Sequence, residues 1–151
     1  MRIKPRKPKS PRLYVSDEER RALRAARILL SDLSSLGPQD VAEATGLDLD
    51  RCRELVALSE FQTLDSVGPA SAEDLWRLGY RGLADLVGAD PADMLRRMQE
   101  LTGSRQDPCV EDVFRCAVAQ VQFPDLPVGQ RQWWAWSGQR GLREVRRPSG
   151  V

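Results

Sequence analysis

The chain of 151 residues contains no histidine. That removes the commonest general base and the commonest metal ligand. Cysteine is scarce. Cys52, Cys109 and Cys116 are an odd number, widely spaced, and make no disulfide framework. Three thiols without an imidazole do not read as a structural zinc site, so neither metal nor cofactor is expected. No stretch of 18 apolar residues occurs, and the longest apolar run near the start is Ile28-Leu29-Leu30. The expectation is no membrane span, no secretory leader and a cytoplasmic location. Lysine is confined to Lys4, Lys7 and Lys9, so the body has no phosphate-binding lysine loop. Paired carboxylates at a turn are missing too, and an enzyme is not expected.

What charge there is lies unevenly. Residues 1–12 carry Arg2, Lys4, Arg6, Lys7, Lys9 and Arg12 with no acid. Residues 140–151 carry Arg140, Arg143, Arg146 and Arg147 against Glu144. Between them, residues 13–139 hold 13 Arg against 21 Asp and Glu. An acidic body with basic ends is unusual for a nucleic-acid binder, whose body is usually basic. Six positive charges and three prolines in residues 1–12 bury no apolar surface and predict disorder.

Helical spacing dominates the rest. Ser16 and Glu19 form a capping box that opens a helix to about Ser35, with Leu23, Ala26, Leu30 and Leu33 on one face. Gly37-Pro38 ends it. Short helices follow over 38–45 and 49–59, then 69–78, and one turn over 82–87. Asp90-Pro91 and Asp107-Pro108 are helix starts, an N-cap residue followed by proline. The first opens a helix with Met94, Leu95, Met98 and Leu101 inward, stopped by Gly103. The second opens residues 108–122, apolar around most of the circumference and so the expected buried centre. Cys109 and Cys116 lie two turns apart there, about 10 Å, too far for a mutual disulfide; both read as core. Residues 124–132 read as a linker before Trp133-Trp134-Ala135-Trp136, and sustained period-two alternation is missing. The fold class is therefore all-α, a compact array of short helices.

The turn at Leu64-Asp65-Ser66-Val67-Gly68-Pro69-Ala70-Ser71 carries the most functional information. Gly68 permits a conformation that side chains resist, and Pro69 suits a first helical position. Free N–H groups at such a helix start hold a phosphate. An echo at an offset of 20 aligns Leu47, Cys52, Leu55 and Leu58 with Val67, Ala72, Leu75 and Leu78, and Gly46 with Ser66. It reads either as a duplicated hairpin pair or as chance recurrence. The segment Val41–Ser59 also has a helix-turn-helix outline, but Asp48, Asp50 and Glu54 beside Arg51 and Arg53 would be repelled by DNA.

The turn resembles the helix-hairpin-helix element of DNA repair proteins, which docks on DNA backbone without reading bases. Beyond it come Leu78-Gly79-Tyr80-Arg81-Gly82-Leu83, Asp90-Pro91, Glu100-Leu101-Thr102-Gly103, Cys109-Val110, Arg115-Cys116-Ala117-Val118 and Trp133-Trp134-x-Trp136. This run, over about residues 60–137, resembles the pathogenicity-locus family of small bacterial helix-hairpin-helix proteins, some labelled mitomycin-resistance proteins. The resemblance implies a helical DNA-binding-type module with no settled enzyme activity. Ser66 replaces the first glycine of the usual hairpin, and Ala70 stands where a lysine is common. The lost cation weakens phosphate affinity.

Together these readings divide the chain into a basic disordered tail (1–14), an N-terminal helical segment (15–59), a hairpin core with a Trp-rich end (60–137) and a basic C-terminal tail (138–151). The leading function is non-sequence-specific binding of duplex or single-stranded DNA, in repair or damage tolerance, which would make the protein nucleoid-associated. Its candidate residues are Ser66, Val67, Gly68, Pro69, Ala70 and Ser71, flanked by Arg77 and Arg81, with Lys4, Arg6, Lys7 and Lys9 of the tail. Repair proteins are further candidate partners. The alternative is a helical adaptor whose acidic body binds another protein. The tryptophans read as a clamp on the body, with base stacking as the functional alternative.

Overall fold

Each α-helix starts where the sequence supplies a cap or a proline. The computed structural model describes residues 9–148, and these are all-helical, with no strand. The helices are α1 (Asp17–Ala25), α2 (Pro38–Thr45), α3 (Leu49–Phe61), α4 (Pro69–Arg77), α5 (Pro91–Thr102) and α6 (Cys109–Gln122). Short 3-10 turns cover Leu30–Ser35, Leu83–Leu86, Val128–Arg131 and Trp133–Gln139. The capping box at α1 is formed: the Ser16 hydroxyl accepts from the Glu19 N–H, and the Glu19 carboxylate accepts from the Ser16 N–H.

That first helix is shorter than its apolar stripe predicts. It stops at Ala25 because Arg27 turns left-handed at φ +58°. The Arg27 N–H then donates to Arg24 O and the Ile28 N–H to Leu23 O, a double closure of the last turn. Glycine normally marks such an end, so an arginine there left no signal.

Two apolar clusters share α3. Cys52, Leu55 and Val56 join Leu23, Leu33 and Val41 in the smaller one. Ala57, Leu58 and Phe61 join the larger one, with Val67, Ala72, Leu75, Leu86, Met94, Met98, Trp136 and much of α6. Helix α6 is the centre, as its apolar circumference predicts. Along α5 the expected stripe is deeply buried at Met94 and Met98, but Leu101, near the helix end, is 55% exposed. Cys52 and Cys116 are buried and Cys109 half-buried, all three as free thiols. Burial pushes the Cys116 thiol up to about 11.

Helix α6 also buries charge. Asp112 is fully buried and paired with Arg140 at 2.5 Å. Arg115, also fully buried, donates to Glu111 and to the carbonyls of Leu142 and Glu144. Val145 reaches the larger core. The segment read as a C-terminal tail is thus, over residues 138–148, a strap folded onto α6. Two of its arginines, Arg140 and Arg147, pair with Asp112 and Asp125 of the body, a match that only folding reveals.

Candidate nucleic-acid interface

Helices α3 and α4 are joined through residues 62–68, the turn singled out above. Its left-handed residue is Ser66, at φ +66°, in the place where the usual hairpin has glycine. Gly68 instead is extended at φ −95°, and an added Cβ there would meet nothing within 4 Å. The expected roles of these two residues are therefore reversed. Gly68 matters for what it does not cap, and Ser66 bears the turn.

The Ser66 hydroxyl is also occupied. It donates to Arg131 O at 3.0 Å and accepts from the Trp133 N–H at 3.1 Å. Asp65 adds to the same lock. Its backbone N–H and carbonyl both bond the Gln120 side chain, and its carboxylate pairs with Arg131 at 3.3 Å. Ser66 thus ties the turn to the segment around Arg131 and Trp133 that leads into the strap. Val67 is 1% exposed, with its N–H turned to Leu64 O, so it belongs to the core.

The start of α4 is different from every other α-helix start among the described residues. The first turns of α1, α2, α3, α5 and α6 all contain Asp or Glu, whereas that of α4 contains none. Gly68 offers no side-chain cap, and the first closing bond is Ala72 N–H to Gly68 O. The N–H groups of Gly68, Ala70 and Ser71 come before that bond, at the positive end of the helix dipole. Ala70 is exposed and Ser71 half-buried in this first turn.

The echo at 20 residues has a physical content here. Gly46 at φ +73° and Ser66 at φ +66° are both left-handed, and each stands two residues before an N-cap, Asp48 or Gly68. At the first turn the Asp48 carboxylate accepts the Arg51 N–H and fills the place an anion would take. At the second that place is open. Because α3 serves both turns, they do not form two separate hairpins.

Basic residues meet the open turn from the N-terminal side. Gln62, 5% exposed at the end of α3, accepts from the Arg12 N–H and donates to Arg12 O. This amide pairing holds residues around Arg12 beside the turn, where Lys9, Ser10, Arg12, Gln62, Gly68 and Pro69 line one cleft. Over residues 9–14 the expected disordered tail is thus anchored, with Pro11 buried and Lys9 and Arg12 exposed. In the sequence Arg12 is one tail charge among six, since nothing local pairs it with Gln62. Lys4, Arg6 and Lys7 lie outside the described residues.

The structure does not bring Arg77 and Arg81 to the turn. Arg77 is the last residue of α4, roughly 12 Å along the axis from Pro69. The Arg81 guanidinium lies 3.7 Å over the Trp76 ring and donates to the Trp76 and Tyr80 carbonyls. Sequence proximity misled because a helix carries its two ends apart. In α3, Arg51 is held by Glu19 and Glu54, and Arg53 pairs at the surface with Asp50. Among the described residues no helix is long and apolar enough to cross a membrane.

The comparisons with known proteins follow this architecture. The family model described as "Pathogenicity locus" matches residues 54–141, from within α3 to the C-terminal strap. The chain is also 35% identical over 82 residues to the "Mitomycin resistance protein McrB" of Streptomyces lavendulae, covering 54% of this chain and 74% of that relative. No solved structure matches it. The chain therefore belongs to the pathogenicity-locus family, with its family core built on α6 and the smaller N-terminal cluster added at the other end of α3.

Proposed function

We propose that the protein is a non-enzymatic, non-sequence-specific DNA-binding protein, acting through a helix-hairpin-helix-type turn between α3 and α4. The observation that carries this reading is the start of α4, the one α-helix among those described with neither a first-turn acid nor a side-chain cap. A phosphate placed there accepts N–H bonds from Gly68, Ala70 and Ser71 and lies at the positive end of the helix dipole. Lys9 and Arg12 supply cations beside it and replace the lysine that Ala70 lacks. Lys4, Arg6 and Lys7, outside the described residues, are further positive charges in the sequence just before Lys9. Backbone contacts of this kind carry no base information. The resistance named in the Streptomyces relative supports a place in damage tolerance.

Gly68→Asp is the sharpest test. The site has room for a side chain, so the carboxylate caps α4 as Asp48 caps α3. It stabilises the fold by a few tenths of a kcal/mol relative to glycine and takes the phosphate's place. Fluorescence anisotropy on two unrelated duplexes should show about a tenfold loss of affinity, the scale of a charge-assisted hydrogen bond, with the thermal midpoint unchanged or raised. Lys9→Gln with Arg12→Gln should flatten the slope of log affinity against log salt by about two charges. Unchanged affinity in Gly68→Asp would refute the turn as the contact. If the full chain binds no DNA at low salt, the acidic body favours the second reading, an adaptor for another protein.

A further inference from the structure

Trp134 is 60% exposed, while Trp136, two residues on, is fully buried and donates its indole N–H to Gln130 O. Leaving an indole in water is costly, since its large apolar face gains most from burial. The exposed ring is not loosely placed. Trp134 lies within the 3-10 turn Trp133–Gln139, and its carbonyl accepts from the Ser137 hydroxyl. The ring stands edge-on to that of Trp133, with centroids 5.7 Å apart and planes at 83°. Trp133 in turn packs on the larger core, and its N–H is bonded to the Ser66 hydroxyl. One chain of contacts thus runs from the α4 turn, through Ser66 and Trp133, to an exposed aromatic face.

We propose that Trp134 is a stacking platform for one unpaired nucleobase of a strand whose backbone rests on the α4 turn. The protein thereby prefers single-stranded DNA, or DNA with unpaired bases, to intact duplex. This rests on the DNA-backbone reading above and names its substrate class. Bases within a duplex already stack on their neighbours, so only an unpaired base presents a free face to an indole. Stacking tolerates any base, in keeping with a backbone contact that reads no sequence. The two contacts are also unlike in kind: the turn and Lys9 with Arg12 answer charge, whereas Trp134 answers an apolar face.

The test uses the full chain with an oligothymidine and a fully paired, blunt-ended duplex of equal length. Trp134→Ala should lose about tenfold or more in affinity for oligothymidine and leave duplex affinity unchanged. Trp134→Phe, which keeps an aromatic face, should retain most of it. Oligothymidine should quench the wild-type tryptophan emission, and the quench should shrink in Trp134→Ala. If Trp134→Ala binds oligothymidine as wild type does, or both substrates fall alike, the platform is overturned while wild-type duplex binding keeps the backbone reading intact. If wild type binds neither DNA at low salt, both readings fail together.

Discussion

Ser66 occupies a left-handed conformation that costs a side chain roughly 1 kcal/mol or more relative to glycine. It is held there by two hydroxyl bonds to backbone groups of Arg131 and Trp133. A glycine would fit the backbone and lose both bonds; an alanine would lose the bonds and keep the strain. Urea unfolding should therefore order the variants wild type, then Ser66→Gly, then Ser66→Ala. Ser66→Ala should lie about 1–3 kcal/mol below wild type. Equal stability of Ser66→Ala and wild type would show that the lock contributes nothing. The position was visible in the sequence as a departure from the hairpin pattern, but the reason for the departure was not. The partner atoms of Ser66 are backbone groups 65 and 67 residues away, and backbone groups leave no mark in a sequence.

Helix starts and stops were legible wherever one residue type does the work: Ser16 with Glu19, Asp90 before Pro91, and the left-handed Gly103. They were illegible where Arg27 took the left-handed place of a glycine. The strap shows how an element gains its role from another. Arg140 and Arg147 look alike in the sequence, yet Arg140 answers a fully buried Asp112 and Arg147 an exposed Asp125. Removing Arg140 strands a buried carboxylate, which is costly; removing Arg147 leaves one that water solvates. Thermal melts should show Arg140→Ala clearly less stable than Arg147→Ala, which should melt close to wild type. Equal midpoints would mean that Asp112 finds another partner.

Across the molecule, the two apolar clusters meet along α3, and the N-terminal one is tied on by charge as well. Arg51 in α3 donates to Glu19 in α1 at 2.6 Å and to Tyr14 O. The Arg51 hydrogen bond holds the Glu19 carboxyl below its usual range. An acid lowered in the folded state contributes stability above its unfolded value and loses it as pH falls through the folded one. Glu19→Gln should thus lower the thermal midpoint at neutral pH, and the gap to wild type should close as pH drops below about 4. A gap that stays constant with pH would detach the effect from this ion pair. The same scale decides the charge map. Arg140 and Arg147 are spent on acids of the body, whereas Lys9 and Arg12 remain exposed beside the open turn.

By itself the sequence determined the all-α class, most helix ends, the centrality of α6 and the turn before Pro69, because caps, prolines and helical periodicity act within a few residues. It also carried the family resemblance later matched over residues 54–141. The tertiary structure alone decided which charges are free, which tryptophan is exposed and what Ser66 is for. Those depend on groups brought together from distant parts of the chain: Arg12 with Gln62, Arg140 with Asp112, and Ser66 with Trp133. No local pattern encodes such pairings, because each is made by packing two helical surfaces whose contact is settled only when the whole core forms.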